Sequence, residues 1–263
     1  MGLEQQQVEA LLAHVDASLD DSLERLFAFL RIPSISTEPA YKDDCRKAAH
    51  WLVDELKSLG VAAEIGETAG HPMVTGHAGK PGAPNALFYG HYDVQPVDPL
   101  DLWNTDPFTP TLRDGKIFAR GAVDDKGQVM TFVEACRTFL AVVGELPIGL
   151  SFLIEGEEEA ASKSFAPFLR QNAGAFGADL ALVCDTGMWD PKTPAIVTGL
   201  RGIVAEEMII TCASRDLHSG GYGSAARNPN QVMAELATDW ASPTGQAIQG
   251  VMYEEILKPL VEG

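Results

Sequence analysis

The chain is poor in positive charge. Its 263 residues carry 19 Lys and Arg against 37 Asp and Glu, a formal charge of -18 at pH 7. Such an acidic excess repels phosphate backbones and anionic membrane surfaces, and argues against functions that depend on gripping either. Cysteine is scarce as well. Cys45, Cys136, Cys184 and Cys212 lie far apart and form no Cys-x-x-Cys pair, which favours reduced, buried thiols over disulfides or a thiolate metal site. No apolar run approaches the ~18 residues of a membrane span. The opening stretch, MGLEQQQVEA, lacks the basic-then-apolar form of a signal peptide, and Gln6 stands where a myristoylation start needs Ser or Thr. A soluble, cytoplasmic protein is expected. What the chain does have is apolar mass: at 46% hydrophobic it can bury a core, in one large domain or two smaller ones.

Val8, Leu11, Leu12, Val15 and Leu19, then Leu23, Leu26, Phe27 and Leu30, recur at helical spacing and predict a helix or helix pair stopped at Pro33. Asp43 or Asp44 is expected to cap a helix through Ala48, Leu52, Leu56 and Leu59, closed by Gly60. One or two short strands follow over 61–76, then a turn-rich link and an apolar strand, Ala86 to Tyr89. Residues 98–114 read as a loop anchored by Trp103 and Phe108, and Asp114-Gly115 as a hairpin turn. Val129, Phe132, Val133, Cys136, Phe139 and Leu140 form the apolar face of a helix ended by Gly144. Two further apolar strands, over 148–154 and 180–184, flank a helix over 164–169. Residues 203–212 are a strand candidate and 228–240 a helix.

Polar groups collect where these strands end. His91 and Asp93 follow the 86–89 strand, Glu157, Glu158 and Glu159 follow the 148–154 strand, and Asp185 terminates the 180–184 strand. Open α/β sheets bind their ligands at the carboxyl ends of parallel strands. His91 and Asp93 are two apart and can point together in extended chain; an imidazole that ligates a metal commonly gives its other N–H to a carboxylate. Asp124-Asp125 stands at a helix entrance between Gly121 and Gly127. An N-cap accounts for one aspartate; the glycines suggest close backbone packing around something bound. Each group has a plainer reading, as a surface turn, a cap, or an acidic first helical turn. Together they make a set of one imidazole and several carboxylates, suited to Zn2+, Mn2+ or Co2+. The other histidines, His14, His50, His71 and His77, read as structural or surface residues.

The four stretches GHYDVQP, RGAVDDKG, IEGEEEAAS and CDTGMW occur in the order and near spacing of a known group. From about Leu26 to Pro229 the chain resembles the dinuclear zinc peptidases of the aminoacylase, carboxypeptidase and dipeptidase group, family M20, and most of all its carnosinase-like branch. The resemblance implies that His91 and Asp185 bind one metal, that Asp124 bridges two and precedes a cis peptide, and that Glu159 binds the second. It implies Glu158 as the general base acting on a water held between two Zn2+ ions (Mn2+ or Co2+ being possible), and Asp93 as the partner of His91. It implies that His218 reaches the substrate in a neighbouring subunit, so that family members are homodimers acting on small peptides.

The expected fold is α/β: a three-layer catalytic portion with a mixed, mostly parallel sheet over 1–194, and the beginning of an α+β lid and dimerisation domain over 195–263. Family members run well beyond this length and supply a further histidine for the second metal. A chain ending at Gly263 is therefore expected to be truncated and to hold one ion more tightly than the other. Three readings stay open: a metallo-dipeptidase-like hydrolase, an N-acyl amino acid deacylase, and a noncatalytic metal-binding fragment.

Overall fold

The computed structural model describes residues 4–79, 82–202 and 207–241. The chain divides into two compact units, Met1–Val197 and Thr198–Gly263.

The first unit is built on a five-stranded sheet. Its strands are β1 (Ala62–Gly66), β2 (Met73–Ala78), β3 (Asn85–His91), β6 (Gly149–Glu155) and β7 (Leu180–Val183), in the order β1-β2-β6-β3-β7. β3 pairs in parallel with both β6 and β7, while β2 is antiparallel to both β1 and β6, so β2 alone runs against the rest. A separate hairpin joins β4 (Thr111–Arg113) to β5 (Lys116–Phe118) through Asp114-Gly115.

β6 is the central strand. Every one of its residues is buried, as a continuous apolar run covered on both faces should be. Its side chains alternate between two cores. Phe152 and Ile154 join Phe88, Val74 and the helices α2 (Leu19–Leu30), α3 (Lys42–Ser58) and α4 (Lys126–Val143) on one face. Leu153 joins Met73 and Phe168 of α5 (Phe165–Gln171) on the other. Helices, sheet and helix therefore make three layers. Burial of one side chain such as Phe152, which is fully enclosed, is worth roughly 1.5–3 kcal/mol. The preceding α1 (Gln5–Ala17) packs against α4.

The crossovers explain the layering. The chain goes from β3 through α4 to β6 on one side of β3, then through α5 to β7 on the other. Right-handed crossovers in opposite directions must lie on opposite faces. The carboxyl ends of β6, β3 and β7 are thereby left adjacent and uncovered by the crossover helices, which is where such sheets form a crevice. α4 stops at Gly144, whose φ of 84° is left-handed.

Several expectations need correction. Tyr41 occupies the cap position of α3, after a 3-10 turn over Pro39–Tyr41, so Asp43 and Asp44 lie in the first turn and favour it electrostatically. Glu158–Ala160 is a 3-10 turn, and α5 begins only at Phe165, because Ala161 and Ser162 take left-handed backbone at φ 70° and 47°. Of the 203–212 strand candidate, residues 203–206 lie outside the described residues and 207–212 form no strand. In the second unit the described elements are α6 (Ser219–Tyr222) and α7 (Pro229–Ala241).

Candidate metal centre

Three strand ends and one helix entrance build the site. His91 is the last residue of β3, the Glu157–Glu159 stretch follows β6, Asp185 follows β7, and Asp124 precedes α4. One ligand atom from each of His91, Asp124 and Asp185 lies within 4.8 Å of the others. His91 Nε2 is 3.0 Å from Asp124 Oδ1 and 3.8 Å from Asp185 Oδ2. The imidazole is completely buried, while the Asp124 and Asp185 side chains are 53% and 37% exposed. The cluster is thus open on its carboxylate side to an ion or a substrate.

Asp93 fixes this geometry. It is wholly buried, and His91 Nδ1 faces both its carbonyl at 3.0 Å and its Oδ1 at 3.3 Å. With Nδ1 engaged, Nε2 is the atom presented to a cation. The same carboxylate accepts the backbone N–H of Glu158 on Oδ1 at 3.2 Å and that of Glu159 on Oδ2 at 3.0 Å. One side chain therefore orients the imidazole and pins the glutamate turn beside it.

The three glutamates have separate surroundings. Glu157 is buried and accepts from the backbone N–H of His71 and Ser164, at 3.2 and 2.9 Å. It ties the turn to the β1–β2 connection. Glu158 and Glu159 are half-buried. Burial raises both carboxyls above the ordinary range, assisted by neighbouring carboxylates: Glu159, Asp185 and Asp93 act on Glu158, and Asp124 and Asp93 on Glu159. Glu159 is not within the close three-residue cluster; its Oε2 accepts from Gln95 Nε2 at 2.5 Å. Burial would lower the His91 pKa, but Asp93 above all, with Asp125 and Asp124, pushes it up to about 10. The carboxylates that raise it favour positive charge at this position.

Asp125 corrects the reading of the helix entrance. It sits at the cap position of α4 without a side-chain capping bond. Its Oδ2 instead accepts the backbone N–H of His91 at 3.0 Å, and burial raises its pKa to about 7. The Asp124-Asp125 peptide is cis, as the resemblance implies. The flanking glycines have reasons within the chain: a Cβ on Gly127 would lie 2.1 Å from the Ala122 carbonyl oxygen, and Gly121 takes a left-handed φ of 83° where a Cβ would lie 2.9 Å from Val94 Cγ1. Gly90 has a comparable reason, since a Cβ there would meet Asp125 Oδ2 at 2.7 Å. Asp125 was read from the sequence only as one of a pair at the helix entrance, and Gln95 and Lys126 were not singled out. For Gln95 a signal existed, because it continues the alternation begun by His91 and Asp93.

His218 belongs to the second unit. It stands at the cap position of α6, and its Nδ1 accepts the backbone N–H of Gly220 at 3.0 Å. His71 is half-buried, with Nε2 3.0 Å from the Ser36 carbonyl; His77 is exposed, with Nδ1 3.1 Å from Ser151 Oγ.

The family model of Peptidase family M20/M25/M40 matches residues 87–255, which include the whole cluster. The chain belongs to this peptidase family. Among M20 relatives, the chain is 28% identical to the Beta-Ala-His dipeptidase of Rattus norvegicus over 271 residues, 97% of this chain and 55% of that protein. It is 30% identical to the Cys-Gly metallodipeptidase dug1 of Schizosaccharomyces pombe over 260 residues, 93% of this chain and 55% of that protein. The chain spans about half the length of the curated relatives it matches. Among solved structures, human carnosine dipeptidase 1 aligns with a TM-score of 0.73 and 26% identity, over 89% of this chain and 52% of that one. An M20 family metallo-carboxypeptidase from Sulfolobus solfataricus aligns with a TM-score of 0.60 and 36% identity, over 65% of this chain and 38% of that one. The α/β fold with its mixed sheet is therefore that of M20 peptidases.

The donor set fits a metal. One imidazole nitrogen and carboxylate oxygens from two aspartates converge, the imidazole is oriented by a buried carboxylate, and the open side faces solvent.

Proposed function

We propose that the chain carries the metal-holding portion of a dipeptidase-like hydrolase acting on dipeptides or small peptides. The observation that supports this most is the joint role of Asp93, which orders His91 and the Glu158-Glu159 backbone against one another. His91, Asp124 and Asp185 would hold one ion, with Asp124 shared and Glu159 contributing to a second. Zn2+ suits this mixed nitrogen and oxygen set, and Mn2+ or Co2+ would also be accepted. Bound ions of this kind would lower the pKa of coordinated water toward ~7 and polarise a peptide carbonyl.

The remaining chemistry falls to the chain's own groups. Glu158 is the general base. It takes a proton from the attacking water as the new C–O bond forms, then passes that proton to the nitrogen as the C–N bond breaks, releasing an amine and a carboxylic acid whose own proton then leaves to give a carboxylate and an ammonium. Burial and adjacent carboxylates raise its pKa, the direction a general base needs. Glu158 and Glu159 are successive residues of one tight turn, so their side chains diverge and can serve different partners. On the resemblance we assign His218 to steadying the oxyanion from a second copy in a homodimer. No helix among the described residues is long and apolar enough to cross a membrane, and the acidic composition suits a cytoplasmic enzyme.

The test is hydrolysis of a small dipeptide panel with added Zn2+ or Mn2+, comparing the unaltered chain with Glu158→Gln. Loss of a general base should lower the rate by ~10^2 to 10^4-fold. Equal rates in both proteins would remove Glu158 from this role. Metal binding without hydrolysis by either would leave a noncatalytic fragment.

A further inference from the structure

The chain beyond β3 stays extended, and its side chains alternate. Tyr92 and Val94 turn into the core, both fully buried, while their N–H groups donate to the Glu155 and Ser34 carbonyls at 2.9 Å each. The intervening positions point the other way. His91 and Asp93 have been accounted for. Gln95 is the third, and its Nε2 donates to Glu159 Oε2.

The backbone that carries Gln95 is braced. Arg120 donates to the Pro96 carbonyl at 2.8 Å, and the Trp103 indole N–H donates to the Val97 carbonyl at 3.0 Å. The Arg120 guanidinium lies 5.4 Å from the centre of the Trp103 ring, which joins the two braces. Gln95 is therefore offered to Glu159 from a held loop, although its own side chain is exposed.

We propose that Gln95 is a positioning residue for Glu159 and sets the affinity of the ion that Glu159 would help hold. Asp93 fixes the Glu159 backbone. Gln95 donates to one oxygen of its carboxylate, and the other would be the one to hold an ion. A glutamine is suited to this as Lys or Arg is not, because its amide donates a hydrogen bond without setting a positive charge beside a cation. Partners that orient a ligand in this way typically govern metal affinity by 10–100-fold. The inference rests on the site reading given above.

The experiment is a calorimetric titration of the metal-free full chain with Zn2+, repeated with Co2+ and followed by its visible absorption. The proteins are the unaltered chain, Gln95→Leu, Gln95→Asn and Glu159→Gln. Leu removes the donor; Asn keeps an amide that is one carbon too short. Both are expected to weaken the looser ion by about 10-fold or more and to alter its Co2+ spectrum, with the tighter ion changed less than about 2-fold. Retained thermal melts show that the variants are folded, and the exposed position of Gln95 makes that the expected result. An unchanged looser ion, or equal weakening of both, overturns the role of Gln95. If Glu159→Gln also leaves the looser ion unchanged, or the unaltered chain binds no second ion, the assignment of Glu159 itself falls and Gln95 with it.

Discussion

Lys126, two residues after Asp124, is completely buried yet takes no part in the candidate site. Its Nζ donates to the Phe29 and Ile32 carbonyls at 3.2 and 2.7 Å and lies 4.8 Å from the centre of the Phe29 ring. Those carbonyls lie at the exit of α2, where the remaining lone pairs of the last C=O groups and the negative end of the helix dipole both favour a cation. Burial pulls the ammonium pKa down to about 7, so desolvation works against these contacts. Lys126→Met keeps the volume and removes two charge-assisted hydrogen bonds, while both carbonyls keep a backbone donor, Ile32 N–H at 3.2 Å on Phe29 and Ser34 N–H at 2.9 Å on Ile32. It should cost about 1–3 kcal/mol in urea unfolding. A gain in stability would mean that desolvation of the lysine outweighs its hydrogen bonds. Nothing in the sequence marked this residue: a lysine opening a helix reads as solvated, and its acceptors lie far upstream. His91, Asp124 and Asp185 were legible, because residue type and position at a strand end or helix entrance are both local features. The same holds for Asp93, although its grip on the Glu158 and Glu159 N–H groups depends on how β3 and β6 are registered. That pairing is settled by the sheet, with His91 opposite Glu155.

Helices α2, α3 and α4 are joined by a charged network as well as by the core. Arg25 donates to both oxygens of Glu134 at 2.7 Å, Ser22 donates to Glu134 Oε2 at 2.9 Å, and Arg137 pairs with Glu55. Burial alone would raise the Glu134 pKa, but the Arg25 and Ser22 hydrogen bonds and the two guanidinium charges bring it below the ordinary value. A carboxylate depressed in the folded state binds fewer protons there than when unfolded. Its contribution is therefore complete above the unfolded pKa of ~4.3 and is lost as pH falls through the folded value. Glu134→Gln should cost about 1–3 kcal/mol at pH 7, and the gap should close below pH ~4.3. Urea unfolding of both proteins between pH 7 and pH 3 measures it; a gap independent of pH would assign the loss to packing. The strands and long helices were legible from their apolar periods. The start of α3 and the break before α5 were not, since a 3-10 entry and two left-handed residues follow from tertiary context more than from composition.

At the scale of the whole molecule, the site joins segments from position 91 to position 185 that share no local structure. An ion held by the folded chain alone must stabilise it by mass action, at about 2.7 kcal/mol when the ion is at 100 times its Kd. Saturating Zn2+ or Mn2+ should therefore raise the melting temperature, a chelator should reverse the rise, and His91→Ala should abolish it. Calorimetric melts check this independently of any activity. A shift of equal size in His91→Ala would place the ion elsewhere. β7 is one of the two edge strands of the described sheet, with Leu180 and Val183 58% and 55% exposed, a surface inviting further strand pairing.

The two-residue rhythm of positions 91–95 also sets where this protein can be edited. Removing or adding one residue inside that stretch would turn every later side chain to the opposite face, sending Gln95 inward and an aliphatic group out toward the carboxylates. Foreign peptides or reporter tags therefore belong at the Asp114-Gly115 hairpin tip, where an insertion changes length without changing phase.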